Sequence, residues 1–122
     1  MTLRTFFVED NATIRENLIE TLQELTDVVP VGYAETEAAG VQWLTEPSHD
    51  WELAIVDLFL RQGSGLGVVA ACKNRKPHQR VIVLSNYATL DVRSRCQELG
   101  VDAMFDKSNE IDALLEYCMA LA

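Results

Sequence analysis

Short apolar runs alternate with segments of helical period along the whole chain. Leu3–Val8 predicts a strand, and Ile14, Leu18, Leu22 and Leu25, spaced four, four and three apart, mark one face of the helix after it. Thr13 and Glu16 have the spacing of a capping box near the start of that helix. Val28–Ala34 predicts a second strand, and Pro30 within it assigns it to a sheet edge, because proline has no N–H to give a ladder. Thr36 then opens a helix carrying Ala39, Trp43 and Leu44.

Leu53–Leu60 is apolar almost throughout, the pattern of a strand covered on both faces, and Asp57 is its single charge. Gly63-Ser64-Gly65 breaks the chain before a helix with Leu66, Val69, Ala70 and Lys73. Val81–Leu84 predicts a fourth buried strand, with Thr89 as the cap of a helix through Val92, Cys96 and Leu99. Ala103–Phe105 predicts a fifth strand, and Ser108 caps a last helix bearing Ile111, Leu114, Leu115 and Cys118. Glu110 and Asp112 sit near the positive end of that helix. Strand–helix alternation repeated five times, with right-handed crossovers, gives an α/β fold: a parallel sheet with helices on both faces.

Composition narrows the class. At 122 residues the chain is expected to form one domain over 1–122. Its 48% hydrophobic and 24% charged residues exclude disorder. No apolar run approaches bilayer length, and Met1-Thr2-Leu3-Arg4 lacks the layout of a signal peptide, so a cytoplasmic protein away from the membrane is expected. Nineteen acidic against ten basic residues, a net charge of −9, argue against general nucleic-acid binding. Residues 1–57 hold twelve of the acids and two of the bases. Between Asp57 and Asp91 there is no carboxylate, while Arg61, Lys73, Arg75, Lys76 and Arg80 lie there, most of them read as charges on solvated faces. Cys72, Cys96 and Cys118 have no CxxC spacing and lie in apolar-periodic segments, so buried thiols are expected. His49 and His78 fall in polar connections and are read as surface residues.

In an open parallel sheet, ligands sit beyond the carboxyl ends of the strands, where the strand order reverses. Glu9 and Asp10 follow the first strand, Asp57 lies near the end of the third, Ser85 ends the fourth and Lys107 ends the fifth. With the Pro30 strand outermost, the first and third strands become neighbours and three carboxylates meet in one crevice. Their mutual repulsion calls for a cation. Mg²⁺ takes oxygen ligands and combines one or two carboxylates with a phosphate. Lys107 adds a second positive charge and Ser85 a hydroxyl, a set suited to a phosphoryl group carried on an aspartate. Taken singly, Glu9-Asp10-Asn11 also reads as a helix cap, Ser85 as a turn residue and Lys107 as a solvated lysine. Asp57 has no such local explanation.

These landmarks resemble the receiver domain of two-component response regulators over essentially the whole chain. They are Val8-Glu9-Asp10, Ala54-Ile55-Val56-Asp57-Leu58, Gly63-Ser64-Gly65-Leu66-Gly67, Val83-Leu84-Ser85, Gly100-Val101-Asp102-Ala103 and Phe105-Asp106-Lys107-Ser108. The resemblance implies a five-stranded, doubly wound, flavodoxin-like sheet of order 2-1-3-4-5. It implies that Asp57 accepts a phosphoryl group from a sensor histidine kinase or a histidine phosphotransfer protein. Asp10, Asp57 and the backbone carbonyl of Phe59 would bind Mg²⁺, with Glu9, a variant of the usual first aspartate, helping through water. Ser85 and Lys107 would contact the phosphoryl oxygens, in a phosphoacceptor that dephosphorylates itself rather than a conventional enzyme.

Two positions depart from the family pattern. Met104 stands where an aromatic usually couples to the serine, and Phe105 does not replace it, because neighbouring strand residues face opposite ways. Ser108 stands where proline usually follows the lysine. Phe59 and Tyr87, two residues beyond Asp57 and Ser85, occupy positions that influence hydrolysis of the acyl phosphate in receivers; shielding by their bulk and plain packing are both open readings. The resemblance implies a downstream protein effector met through the fourth helix, fifth strand and fifth helix. Arg93 and Arg95 on that fourth helix are read either as a contact for an acidic partner or as a solvated basic face. No DNA-binding segment follows Ala122, so a stand-alone receiver without direct nucleic-acid contact is expected, with dimerisation on phosphorylation a further expectation. A degenerate receiver that signals without phosphorylation is the alternative, and an aspartate-nucleophile phosphatase a lesser one, since the second acid such an enzyme wants is replaced by Phe59. A flavin phosphate would be repelled by Glu9-Asp10.

Overall fold

A computed structural model describes residues 2–121. Five strands and five helices alternate: β1 Leu3–Val8, α1 Ala12–Leu25, β2 Val28–Ala34, α2 Glu37–Leu44, β3 Leu53–Val56, α3 Gly65–Ala71, β4 Arg80–Ser85, α4 Leu90–Glu98, β5 Ala103–Asp106 and α5 Ile111–Leu121. All neighbouring strands are parallel, in the order β2-β1-β3-β4-β5. This is the doubly wound, flavodoxin-like α/β fold expected from the chain.

Alternation along each strand divides the core into two layers. Phe6, Val8, Ala54, Val56, Val81 and Val83 point to one face and pack with Leu44, Val68, Val69 and Cys96 of α2, α3 and α4. Leu3, Phe7, Leu53, Ile55, Ile82 and Leu84 point to the other and pack with Leu22, Leu114 and Cys118 of α1 and α5. Cys72, Cys96 and Cys118 are buried free thiols, as expected. Pro30 lies on the edge strand, where the β1–β2 register shifts between Thr5 and Phe6 and the missing N–H does no damage.

The structure corrects several local expectations. β3 ends at Val56, four residues before Leu60, because its neighbour β1 ends at Val8; the last bond across them runs from Asp57 N to Val8 O at 2.9 Å. Leu58 and Leu60 are apolar because the loop packs on the core, not because the ladder continues. The α1 cap is Asn11, whose Oδ1 accepts Ile14 N at 3.0 Å, and not Thr13. Ser108 does not cap α5. Asp106 turns that loop instead, its Oδ1 accepting Ser108 N at 2.7 Å and Asn109 N at 3.2 Å. His49 is half-buried, stacked on Trp43 at 4.2 Å with Nδ1 2.8 Å from Trp43 O, while His78 is exposed. Arg75 is not a solvated charge either: it donates to Gly100 O at 2.7 Å and to Asp102 at 2.8 Å. Among the described residues no helix is long and apolar enough to cross a membrane.

Candidate functional site

The adjacency of β1 and β3 brings their carboxyl ends together, and the acids that follow each strand converge. One carboxylate oxygen from each of Glu9, Asp10 and Asp57 lies within 4.8 Å of the other two. Glu9 and Asp57 are buried, and the Asp10 side chain is only 13% exposed. Lys107, carried in from β5, places Nζ 2.5 Å from Glu9 Oε1 and 3.2 Å from Asp57 Oδ2. Its own backbone N–H donates to Ser85 O at 3.0 Å, which fixes the β5–α5 loop against the end of β4.

The electrostatics follow from burial. Removal from water pushes the Glu9 carboxyl above its ordinary range, and the neighbouring Asp57 adds to the effect; the Lys107 ammonium offsets part of it. Burial alone would lower Lys107, but its hydrogen bond to Glu9 and the charges of Asp57 and Glu9 outweigh that and hold the ammonium firmly protonated.

Loops secure the acids. Asp10 Oδ2 accepts Arg61 N at 2.7 Å, and Asp57 Oδ1 accepts Phe59 N at 3.3 Å. Gly65 at the start of α3 lies so close beneath Asp57 that a Cβ there would overlap the Asp57 carbonyl oxygen. Glu37 of α2 holds the same loop, its Oε1 accepting Ser64 N at 2.8 Å and its N–H donating to Gln62 O at 3.1 Å.

Glu9, Asp10, Asp57, Phe59, Tyr87 and Lys107 all line one open cavity of about 260 Å³. The Phe59 and Tyr87 rings meet edge to face at 5.1 Å. Two of the sequence-selected residues stand apart. Ser85 is fully buried and its Oγ accepts Tyr87 N at 3.1 Å, so the hydroxyl serves the β4–α4 turn. Met104 packs in the layer of α2, α3 and α4, whereas Phe105 joins the opposite layer and meets the Tyr117 ring at 5.6 Å. Arg93 is not part of a solvated basic face: it donates to Ala88 O at 3.1 Å, Met104 O at 3.4 Å and Glu110 Oε1 at 2.5 Å. Arg95 alone of that pair is exposed.

The family model of the response regulator receiver domain matches residues 5–118. The chain belongs to that family. It is 24% identical over 107 residues to the photosynthetic apparatus regulatory protein RegA of Cereibacter sphaeroides, covering 85% of this chain and 56% of that protein. The chain thus spans about half the length of the curated relatives it matches. A DNA-binding response regulator of the LuxR family from Staphylococcus aureus superposes with a TM-score of 0.84 at 17% identity, over 98% of both chains. A response regulator protein from Burkholderia pseudomallei, with a phosphorylated aspartic acid, calcium ion and citrate, superposes with a TM-score of 0.80 at 21% identity, over 95% of this chain and 66% of that one. This receiver domain is therefore a two-component signalling module.

Receiver domains typically bind Mg²⁺ at an acidic pocket, and the donor set here fits that ion. Three hard carboxylate oxygens converge, and the cavity beside them leaves room for water and a phosphoryl group. Sequence reading missed Arg15, the bond from Arg61 N to Asp10 and the Arg93–Glu110 pair. For Arg15 a signal existed: it lies seven residues before Leu22, on the buried face of α1.

Proposed function

We propose that residues 1–122 act as a phosphoacceptor, with Asp57 receiving a phosphoryl group from a phosphohistidine on a sensor kinase or phosphotransfer protein. The observation that carries this reading is the ammonium of Lys107 bridging Glu9 and Asp57, with Asp10 beside them, at the carboxyl ends of three strands. A carboxylate oxygen of Asp57 attacks phosphorus, the O–P bond forms as the P–N bond breaks, and the imidazole leaves with a proton. Asp10, Asp57 and the Phe59 carbonyl would hold Mg²⁺, with Glu9 helping through water, and the ion when bound would neutralise charge on the phosphoryl oxygens. Lys107 contributes the same service from the other side. Ser85 Oγ accepts from Tyr87 N, which leaves its O–H to donate to a phosphoryl oxygen. Water attack on the acyl phosphate returns the carboxylate, which makes the chain a timed switch rather than a conventional enzyme. The phosphorylated aspartic acid and calcium ion of the Burkholderia pseudomallei neighbour support the assignment.

The switched surface is α4, β5 and α5, read by a protein effector; nucleic-acid contact by these residues themselves is disfavoured by their acidic excess. Incubation with Mg²⁺ and a small phosphodonor, followed by intact mass and peptide mapping, tests the reading. One phosphoryl adduct on Asp57, lost in Asp57→Asn, is expected; an unmodified Asp57 overturns it. A second reading, signalling without phosphorylation, draws on Met104 at the place of the usual aromatic and on the full burial of Ser85. It expects partner binding unchanged in Asp57→Asn.

A further inference from the structure

A buried guanidinium lies behind the acids. Arg15 of α1 has a side chain only 6% exposed, and a charge so placed is stable only when its hydrogen bonds are met. Its Nη1 donates to Glu9 O at 2.8 Å and to Glu35 Oε2 at 2.9 Å, and its Cζ lies 3.9 Å over the Tyr33 ring. The Glu9 carbonyl belongs to the peptide that joins Glu9 to Asp10, so its orientation sets the directions in which both acid side chains leave the backbone. On the other side of the same residue, Glu9 N donates to Ala34 O at 3.0 Å. Glu9 is thereby held on both sides, its preceding peptide from β2 and its following peptide from α1, and Glu35 and Tyr33 hold the guanidinium that binds the latter.

We propose that Arg15 is a positioning residue for the cation site, clamping the Glu9–Asp10 peptide so that both carboxylates face Asp57, with Glu35 as the acceptor that aims the guanidinium. This rests on the reading that Glu9, Asp10 and Asp57 take Mg²⁺. One Nη1 reaches two acceptors while the flat guanidinium lies over a ring; a lysine ammonium has no such plane.

The test is Mg²⁺ affinity by titration calorimetry on the full chain, with urea unfolding in the absence of Mg²⁺ as the companion measurement. Arg15→Met is expected to weaken Mg²⁺ binding by about 10-fold or more, the usual effect of removing a group that orients a metal ligand. Arg15→Lys is expected to fall between it and the parent. Glu35→Gln and Glu35→Ala remove the same charge, but only alanine removes the acceptor, so Glu35→Ala should bind Mg²⁺ more weakly than Glu35→Gln. That pair decides the matter if Arg15→Met does not fold. Reduced urea stability with Mg²⁺ affinity unchanged in the Arg15 variants, or equal affinities in the two Glu35 variants, overturns the proposal while the cation site stands. No Mg²⁺ binding by the parent chain overturns the site itself, and the proposal with it.

Discussion

Lys107 Nζ lies 2.5 Å from Glu9 Oε1, a direct ion pair between the last strand's loop and the first strand's, 98 residues apart. Both side chains are nearly shielded from water, with 11% and 5% exposed. Asp57 lies 3.2 Å from the same ammonium, so the lysine is the counter-ion of both carboxylates.

Stability should therefore depend on pH through Glu9. Burial first, and Asp57 second, raise its folded value above the ordinary 4.5. The folded chain then binds the Glu9 proton more tightly than the unfolded chain does. That contribution is complete below about pH 4.5 and is lost as pH rises through the raised value. Urea midpoints of the parent, without Mg²⁺, should fall relative to Glu9→Gln over this window, and Mg²⁺ should restore the parent. Parallel curves for the two proteins would count against the shift.

Phe59 and Tyr87, 55% and 63% exposed, line the cavity beside Asp57 with their rings edge to face. Shielding of an acyl phosphate from water predicts that Phe59→Asn and Tyr87→Glu dephosphorylate faster than the parent. Loss of phosphate followed after removal of the donor measures this, and rates no faster than the parent's reject a shielding role.

Arg93 links α4 to β5 and to Glu110, whose Oε1 also accepts Asp106 N at 2.9 Å. The pair is about a third exposed, so solvent discounts the charge attraction, and the backbone bonds carry much of the effect. Arg93→Ala should cost roughly 1 kcal/mol in urea unfolding, the scale of a net hydrogen bond. Glu110→Gln, which keeps an acceptor oxygen, should cost less. A larger loss in Glu110→Gln than in Arg93→Ala would contradict this division.

Gly65 packs on the Asp57 backbone with no space for a Cβ. Gly65→Ala should destabilise the fold by about 1–3 kcal/mol, as forced overpacking does. Because the displaced atom is the Asp57 carbonyl, phosphorylation by a small donor should slow as well. Unchanged stability in urea would show that the loop gives way freely.

Much of this is legible in the sequence. Strand and helix order, the edge placement of Val28–Ala34 and the caps Thr36 and Thr89 follow from periodicity and from the backbone chemistry of single residues, which are local properties. Asp57 was conspicuous because a lone charge interrupts a buried run. Tertiary structure alone decided the rest. The end of β3 depends on where β1 stops, the engagement of the Ser85 hydroxyl on the turn it meets, and the work of Arg15 and Arg93 on carbonyls presented by other elements. A side chain's chemistry is written in the chain, but the acceptor it finds across the sheet is set only when distant segments pack.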